Sequence, residues 1–316
     1  MNLDPTDEEM TFRTEVRAFL DANIEPRMRD SARFSDRLDA DRLLAAGGYL
    51  GYSWLILRRE VAWCEWVSEP EAGSDHANTQ TSGVVDGDRL IVNGGKIWTT
   101  QGPEADWSFA LVRTGPVEKR HRNLTFVLID MDQPGVEIRP LVQVTGTSDF
   151  SQMFLDDVTV PLDQVIGDLN DGWRVAMTLL GAERAFAQLS RFGAYRMQLQ
   201  RLGAMLEEYG VNDSHLLQEF GWLVADLTGI RNLSYKIASL AAAEEEIGAL
   251  SSVTKLWWST THQRLVDLGY EVAVKTGADL DYWFPLWLES RGETIYAGTS
   301  QIQKNLVSER MLGLPR

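Results

Sequence analysis

The chain has 316 residues, of which 44% are hydrophobic and 24% charged, and its formal net charge is −16. This length and composition are typical of a globular protein of about two domains. The acidic balance disfavours a nucleic-acid binder, which needs clustered Lys and Arg, and also attachment to an anionic membrane. The single cysteine, Cys64, excludes an intrachain disulfide, and no apolar run reaches transmembrane length. The acidic start lacks the features of a signal peptide, so we expect a cytoplasmic protein.

The first section, up to about residue 60, has the pattern of a short helical domain. In residues 6–24, "TDEEMTFRTEVRAFLDANI", apolar residues recur at near-helical spacing, with Thr6 as a candidate cap and acidic residues in the first turn. A second run at helical spacing covers residues 39–51, "DADRLLAAGGYLG". We therefore assign residues 1–60 to an N-terminal helical domain.

The second section, residues 61–167, changes to strand patterns. In residues 81–100, "TSGVVDGDRLIVNGGKIWTT", two apolar runs flank Asp-Gly-Asp, which predicts two strands joined by a tight turn. Further short runs rich in β-branched and aromatic residues follow, separated by Gly, Pro and Asp. Because no helical run lies between them, they predict an antiparallel sandwich or barrel rather than a βαβ fold.

The third section, residues 168–316, is helical again. It contains four amphipathic stretches, which predict a four-helix bundle. Gly210 is expected to stop the first stretch, and residues 212–214 to cap the second. The predicted fold class is therefore α+β with three domains: a short N-terminal helical domain, a central β-sandwich or barrel, and a C-terminal helical bundle.

Two polar segments of the predicted β domain have the local chemistry of a ligand site. In residues 68–75, "SEPEAGSD", Gly73 and Ser74 would bring backbone N–H groups and a hydroxyl to a ligand oxygen, which suits a phosphate or diphosphate. A polar turn around Pro70 and Gly73 is the alternative. In residues 96–102, "KIWTTQG", a Trp followed by two Thr on a sheet suits a flat ring with heteroatoms. Core packing is the alternative there.

Two further segments make the pattern specific: residues 179–184, "LLGAER", and residues 293–305, "ETIYAGTSQIQKN". With these motifs in this order, the chain resembles the acyl-CoA dehydrogenase family. The resemblance implies the same three domains and bound FAD, with the flavin between the β domain and the bundle. It also implies α,β-dehydrogenation of an acyl-CoA thioester, in lipid metabolism and fatty acid β-oxidation. The expected electron acceptor is an electron-transfer flavoprotein.

The resemblance further implies which residues hold the FAD. Residues of the two β-domain motifs are expected to contact the flavin and the diphosphate. Residues at the start of the last helix are expected to contact the same cofactor, since free N–H groups at a helix start favour anions. The predicted contacts are Ser68, Ser74, Trp98, Thr99, Thr100, Thr299 and Gln301.

The catalytic base is expected to differ from that of many family members, which carry a Glu directly before the Gly-Thr of the last motif. Here that position is Ala297, which offers only its backbone N–H to hold the thioester oxygen. Other members have the base on the first bundle helix, at the position that matches Glu183. The apolar neighbours of Glu183 would raise the pKa of its carboxyl towards neutrality, as a base requires. The alternatives are a solvated Glu183 or an ion pair with Arg184, which diverging adjacent helical positions disfavour.

Two departures from the family pattern leave a second function open. The N-terminal section is several helices shorter than usual. If the missing part is absent, rather than supplied by a partner subunit, the acyl pocket would be open to a bulky or branched acyl group. Residues 190–199, "SRFGAYRMQL", are only loosely similar to the family's Arg–Phe–Gly–Pro–Leu run, which reaches a neighbouring subunit. The first hypothesis is an acyl-CoA dehydrogenase acting alone or in a homo- or hetero-oligomer. The second is a non-catalytic or half-site subunit of a heteromeric complex, and a flavin oxidase is a third.

Histidines have no metal-ligand spacing in this sequence, so we predict no metal site. They are expected on the surface or in the core, at His76, His121, His215 and His262.

Overall fold

In the computed structural model of this chain, residues 6–24, 61–243 and 245–315 are described, and residues 9, 181–190 and 242 by their backbone alone. The helical run predicted at residues 39–51 lies outside the described residues. The chain divides into two compact units. The first holds residues up to 71, 78–142 and 148–170, and the second holds residues 72–77, 143–147 and 171–316.

The first unit contains one described α-helix and a β-sheet. Helix α1, Asp7–Asn23, matches the first predicted helix. The strands are β1 (Trp63–Trp66), β2 (Ser82–Asp86), β3 (Arg89–Thr100), β4 (Trp107–Arg113), β5 (Leu124–Asp130), β6 (Val136–Leu141), β7 (Phe150–Pro161) and β8 (Val165–Ile166). They form an eight-stranded sheet in the order β6-β7-β3-β2-β4-β5-β8, with β1 paired to β4.

The sheet is mainly antiparallel, but two of its pairings are parallel. Strand β4 pairs in parallel with β1 and, through Ser82 and Arg113, with β2. Parallel strands cannot be joined by a tight turn, and here β2 and β3 separate β1 from β4 in the sequence, while β3 separates β2 from β4. The predicted β domain is confirmed, and its sheet is mixed rather than purely antiparallel.

The predicted hairpin forms between β2 and β3. Asp86 pairs with Arg89, so Gly87 and Asp88 make a two-residue turn. Gly87 has φ +65°, which a side chain would disfavour and a tight hairpin turn needs. Alternating residues of the strands point inward, among them the fully buried Leu90 and Val92. Their burial against other strands of the sheet fixes the register, because a slip of one residue would expose them.

The second unit is a helical bundle. Its helices are α2 (Gly172–Glu208), α3 (Ser214–Ala242), α4 (Leu250–Thr276), α5 (Leu280–Ser290) and α6 (Ser300–Arg310). The four predicted bundle helices are confirmed, and α5 adds a short one that we did not predict. Its signal is weak because it has 11 residues with a proline inside.

Local signals set the helix ends, and apolar packing holds the helices together. The Asp213 carboxylate caps α3 by accepting a hydrogen bond from the His215 N–H at 2.9 Å, and Gly277 ends α4 at φ +73°. The core includes Trp283 of α5, which is fully buried. A Cβ on Gly269 would overlap the Trp283 ring, so this close approach of α4 and α5 needs a glycine. Among the described helices, none is long and apolar enough to cross a membrane.

Candidate active site

Trp98 is presented on strand β3 by a β-bulge. Ile97 pairs with Gln152 and Thr99 with Ser151 on β7, so Trp98 is the extra residue of β3. Its φ of +65° is unusual for an aromatic residue, and bulges redirect side chains in this way. The Trp98 ring is 59% exposed and meets Phe150 edge-on, with ring centroids 6.0 Å apart. A large, flat apolar surface is therefore held open to solvent on this strand.

The residues beside Trp98 differ in what they offer to a ligand. Thr100 is exposed, whereas Thr99 is buried and its hydroxyl has no partner among the described residues. Ser68 is half-buried and lies next to β3, since its carbonyl accepts a hydrogen bond from the Ile97 N–H at 3.0 Å. Near Trp98 in the strand, Thr100 therefore offers an exposed hydroxyl, and Ser68 lies alongside β3 at Ile97.

A buried ion pair ties the segment after Ser68 to strand β3. The Lys96 ammonium lies 2.8 Å from Glu69 Oε1 and donates to the Leu111 carbonyl at 2.6 Å. The two Glu69 carboxylate oxygens also accept hydrogen bonds from the backbone N–H groups of Gln80 at 2.6 Å and Thr81 at 3.0 Å. Sequence reasoning missed this pair, because the motifs "SEPE" and "KIWTT" carry no local sign that their charges meet.

The pKa values of this pair reflect burial and mutual attraction. Burial, the largest effect, lowers the pKa of Lys96, and the Glu69 charge opposes it only in part. Burial alone would raise the pKa of Glu69, but the Lys96 charge and the hydrogen bonds from Lys96, Thr81 and Gln80 together hold it below its usual range. Glu69 is therefore a carboxylate at neutral pH, and its role is to join two segments of the predicted cofactor site.

In the second unit, two predicted site residues, Thr299 and Gln301, lie at the start of helix α6. Thr299 caps the helix, its hydroxyl accepting a hydrogen bond from the Ile302 N–H at 3.2 Å, and Gln301 is exposed in the first turn. Ser74, also of this unit, is exposed beside Gly73, where a Cβ would meet no atom within 4 Å. Of the first N–H groups of α6, that of Gln301 has no acceptor among the described residues, and such an N–H at a helix start suits an anionic ligand.

Ala297 precedes this helix start with a backbone that alanine rarely adopts. Its φ is +52°, and Gly298 follows at φ +85°. The Gln303 side chain supports the turn by donating from Nε2 to the Ala297 carbonyl at 3.0 Å. Ala297 is exposed, and none of the described residues accepts a hydrogen bond from its N–H. That N–H is available to a ligand oxygen.

Glu183 lies within helix α2, about midway between Arg191 and Ala176, of which Ala176 is buried. Only its backbone is described, so its role and its alternatives, including the pair with Arg184, stay predictions. The other predicted site residues likewise keep their assigned roles as predictions.

Two family models match most of the chain. One describes the middle domain of acyl-CoA dehydrogenases and matches residues 64–158, and the other describes their C-terminal domain and matches residues 170–312. The chain belongs to the acyl-CoA dehydrogenase family. The predicted family and fold class are thereby confirmed.

Individual relatives agree with this assignment. The chain is 39% identical over 260 residues to acyl-CoA dehydrogenase IpdE1 of Mycobacterium tuberculosis, which covers 80% of this chain and 67% of that protein. It is 29% identical over 278 residues to cyclohexane-1-carbonyl-CoA dehydrogenase of Geobacter metallireducens, covering 82% of this chain and 70% of that enzyme. Among solved structures, the Tcur3481-Tcur3483 steroid ACAD covers 100% of both chains, with a TM-score of 0.87 at 21% identity, which is a likeness of fold.

Acyl-CoA dehydrogenases are FAD-dependent oxidoreductases of lipid metabolism, which confirms the predicted enzyme class and cofactor. The residues of each unit, taken by itself, fit a part of FAD. In the first unit, the exposed Trp98 and Thr100 offer the flat surface and the polar group that a flavin needs. In the second unit, the Gln301 N–H at the start of helix α6 has no acceptor among the described residues, and it is the kind of donor that a diphosphate needs.

Proposed function

We propose that this acyl-CoA dehydrogenase removes two hydrogens from a bulky or cyclic acyl-CoA thioester, with Glu183 as the base. The observation that carries the proposal is position 297. An alanine stands directly before Gly-Thr, and it offers a free N–H but no acid. A base would then have to come from another element, and Glu183, within helix α2, is the candidate that the resemblance to the family implies.

The residues would divide the reaction between them. Glu183 takes the proton from the α-carbon, and the electrons of that C–H bond form the new double bond to the β-carbon. The Ala297 N–H holds the thioester oxygen while negative charge grows on it, which stabilises the transition state. Trp98 and Thr100 orient the flavin. Bound FAD supplies the acceptor for the hydride that leaves the β-carbon, and an electron-transfer flavoprotein is the proposed next acceptor.

The class of acyl group is proposed from two relatives. One is named for cyclohexane-1-carbonyl-CoA, and the structural neighbour is named a steroid ACAD. Both names describe ring-bearing substrates, which agrees with the bulky acyl group expected from the sequence. The neighbour's name also joins two gene products, Tcur3481 and Tcur3483. That supports the second candidate function, a half-site subunit that works only with a partner of the same family.

One experiment separates these two functions. The purified chain would be titrated anaerobically with straight-chain, branched and cyclic acyl-CoAs while its visible absorption is recorded. A flavin band bleached by cyclic thioesters supports the proposal, whereas preference for short straight chains contradicts the substrate class. Glu183→Gln should then lose bleaching while retaining flavin, and Glu207→Gln, an exposed acid on the same helix, should bleach like the wild type. A colourless chain that becomes active only with a family partner supports the half-site function.

A further inference from the structure

A buried polar cluster in the helical unit has no part in the proposed chemistry. It consists of Tyr195 and Gln198 from α2, His262 and Lys255 from α4, and Glu293, three residues after α5. All are less than 8% exposed. Buried polar and charged groups are costly unless they bond to one another, so the arrangement of their bonds shows what they do.

His262 lies at the centre of the cluster, between two oxygen atoms. Its Nδ1 is 2.7 Å from Glu293 Oε1, and its Nε2 is 2.7 Å from Gln198 Oε1. The hydroxyl of Tyr195 also donates to Glu293 Oε1, at 3.4 Å, so this oxygen acts as an acceptor. Two oxygen acceptors require two N–H donors, and an imidazole with both nitrogens protonated is a cation. With an oxygen facing each nitrogen, a doubly protonated ring would satisfy both contacts, as an imidazolium paired with the Glu293 carboxylate.

Tyr195 packs against His262, and several charged groups lie near the pair that it forms with Glu293. The Tyr195 ring stacks on the imidazole with centroids 3.9 Å apart and planes 15° apart, so an aromatic face covers the ring. The other charged or titratable groups that face the pair are Lys255, Arg191 and Tyr296. Burial, and then the charge of Arg191, lower the pKa of Lys255 to about 8, while Glu293 raises it.

Glu293 anchors the segment that leads to the active-site turn. Of residues 291–299, all of which are described, Glu293 alone is buried, while Ile295, Tyr296 and Ala297 are exposed. Its carboxylate is bound by His262, and its carbonyl accepts a hydrogen bond from Lys255 Nζ at 2.8 Å. Both of these partners belong to α4, so one helix holds the segment by side chain and backbone together.

We propose that Glu293 and His262 are positioning residues, whose imidazolium–carboxylate pair holds the segment 291–299 and thereby places the Ala297 N–H. A buried ion pair adds little net stability after its desolvation cost, so its contribution here is a defined position for the segment. Such a contribution matters because a shift of about 1 Å at a reacting centre can slow a reaction about 100-fold. The effect on catalysis rests on the proposed function of the Ala297 N–H, whereas the protonation of the pair and its hold on the segment do not.

Spectroscopy tests the pair in the full-length protein. In ¹⁵N spectra of the imidazole rings, assigned with His262→Gln, we expect His262 to carry protons on both nitrogens at pH 7. The ring of the exposed His215 provides the reference resonance. In Glu293→Gln, the His262 ring should lose one of its two protons. A His262 with one bare nitrogen in the wild type would overturn the proposal.

Hydrogen exchange and rapid kinetics test the positioning. Glu293→Leu should speed exchange of the amides of residues 294–298 by about tenfold or more, with little change in helix α3. It should also slow flavin reduction at saturating substrate by about tenfold, with unchanged flavin content and substrate affinity. Glu293→Gln, which keeps a hydrogen bond, should fall between Leu and the wild type, and it provides the comparison if Glu293→Leu does not fold. Glu246→Gln, an exposed control, should behave like the wild type.

The two proposals fail in different ways. If no acyl-CoA bleaches the wild-type flavin, the proposed function fails, and the exchange and ¹⁵N measurements still decide the role of the pair. If bleaching occurs but exchange of residues 294–298 is unchanged in Glu293→Leu, the positioning role is wrong and the proposed function stands.

Discussion

Replacing Lys96 with Met removes the cation from a buried pair and leaves the Glu69 carboxylate inside the first unit. The Lys96 side chain is fully buried and that of Glu69 is 4% exposed, so water cannot substitute for the lost ammonium. Two backbone N–H groups, from Gln80 and Thr81, would remain on the carboxylate. The Leu111 carbonyl would lose the Lys96 ammonium as its side-chain donor.

The cost follows from the geometry of the pair. At 2.8 Å, Coulomb's law with an effective dielectric constant of about 20 gives roughly 6 kcal/mol of attraction. The desolvation of both charges offsets most of this in the intact protein. Removal of one partner keeps the desolvation of the other, and such changes typically cost about 3–5 kcal/mol. We expect Lys96→Met to lower the free energy of opening of the β-sheet unit by that amount.

Hydrogen exchange measures this loss locally, which matters because the chain has two compact units and a single unfolding midpoint would combine them. Every 1.4 kcal/mol changes the opening equilibrium tenfold, so the protected amides of β3 and β4 should exchange roughly 100-fold to several thousand-fold faster. Amides of helix α3 should change little. Lys119→Met, the same substitution at an exposed position, is the matched control and should stay within about 0.5 kcal/mol of the wild type.

The double variant Lys96→Met/Glu69→Gln distinguishes an unpaired charge from lost packing. Removing both charges leaves no buried ion, so the double variant should recover much of the loss. Two results would refute the reasoning: a cost for Lys96→Met no larger than that of Lys119→Met, or a double variant less stable than either single one.

Two further predictions concern the backbone at position 297 and the effect of pH. Ala297→Gly should stabilise the helical unit by about 1 kcal/mol, since φ +52° is unfavourable for alanine and free for glycine. In thermal unfolding, Ala243→Gly, at φ −87°, should show no such gain, and an equal gain would contradict this explanation. The pKa of Glu69 lies below its ordinary value of 4.5, so the stability it contributes is complete above 4.5 and is lost as the pH falls through the lower folded-state pKa. In urea unfolding between pH 2.5 and 6, Glu69→Gln should therefore lose less stability on acidification than the wild type, and parallel curves would contradict this.

The sequence by itself determined the elements whose signals are local. The β2–β3 hairpin follows from alternating apolar residues and a glycine at the turn, and α3 begins where Asp213 caps it. These features need only neighbours within a few residues, which is why pattern and capping rules predict them. The motifs around Ser68, Trp98 and Thr299 together predicted the family, because they occur along the chain in the order that the family has.

Tertiary structure alone decided how the site is supported. The bulge that exposes Trp98 arises from pairing with β7, whose register shifts between Ile97 and Thr99. Lys96 contacts Glu69, which is 27 residues away in the sequence. His262 contacts Glu293 and Gln198, which are 31 and 64 residues away in the sequence. The desolvation cost of a buried charged group is offset by its hydrogen-bond and charge partners. Those partners come from distant parts of the sequence, so only the folded chain brings them within hydrogen-bond distance. The protonation of such a group therefore depends on contacts that no local sequence pattern contains.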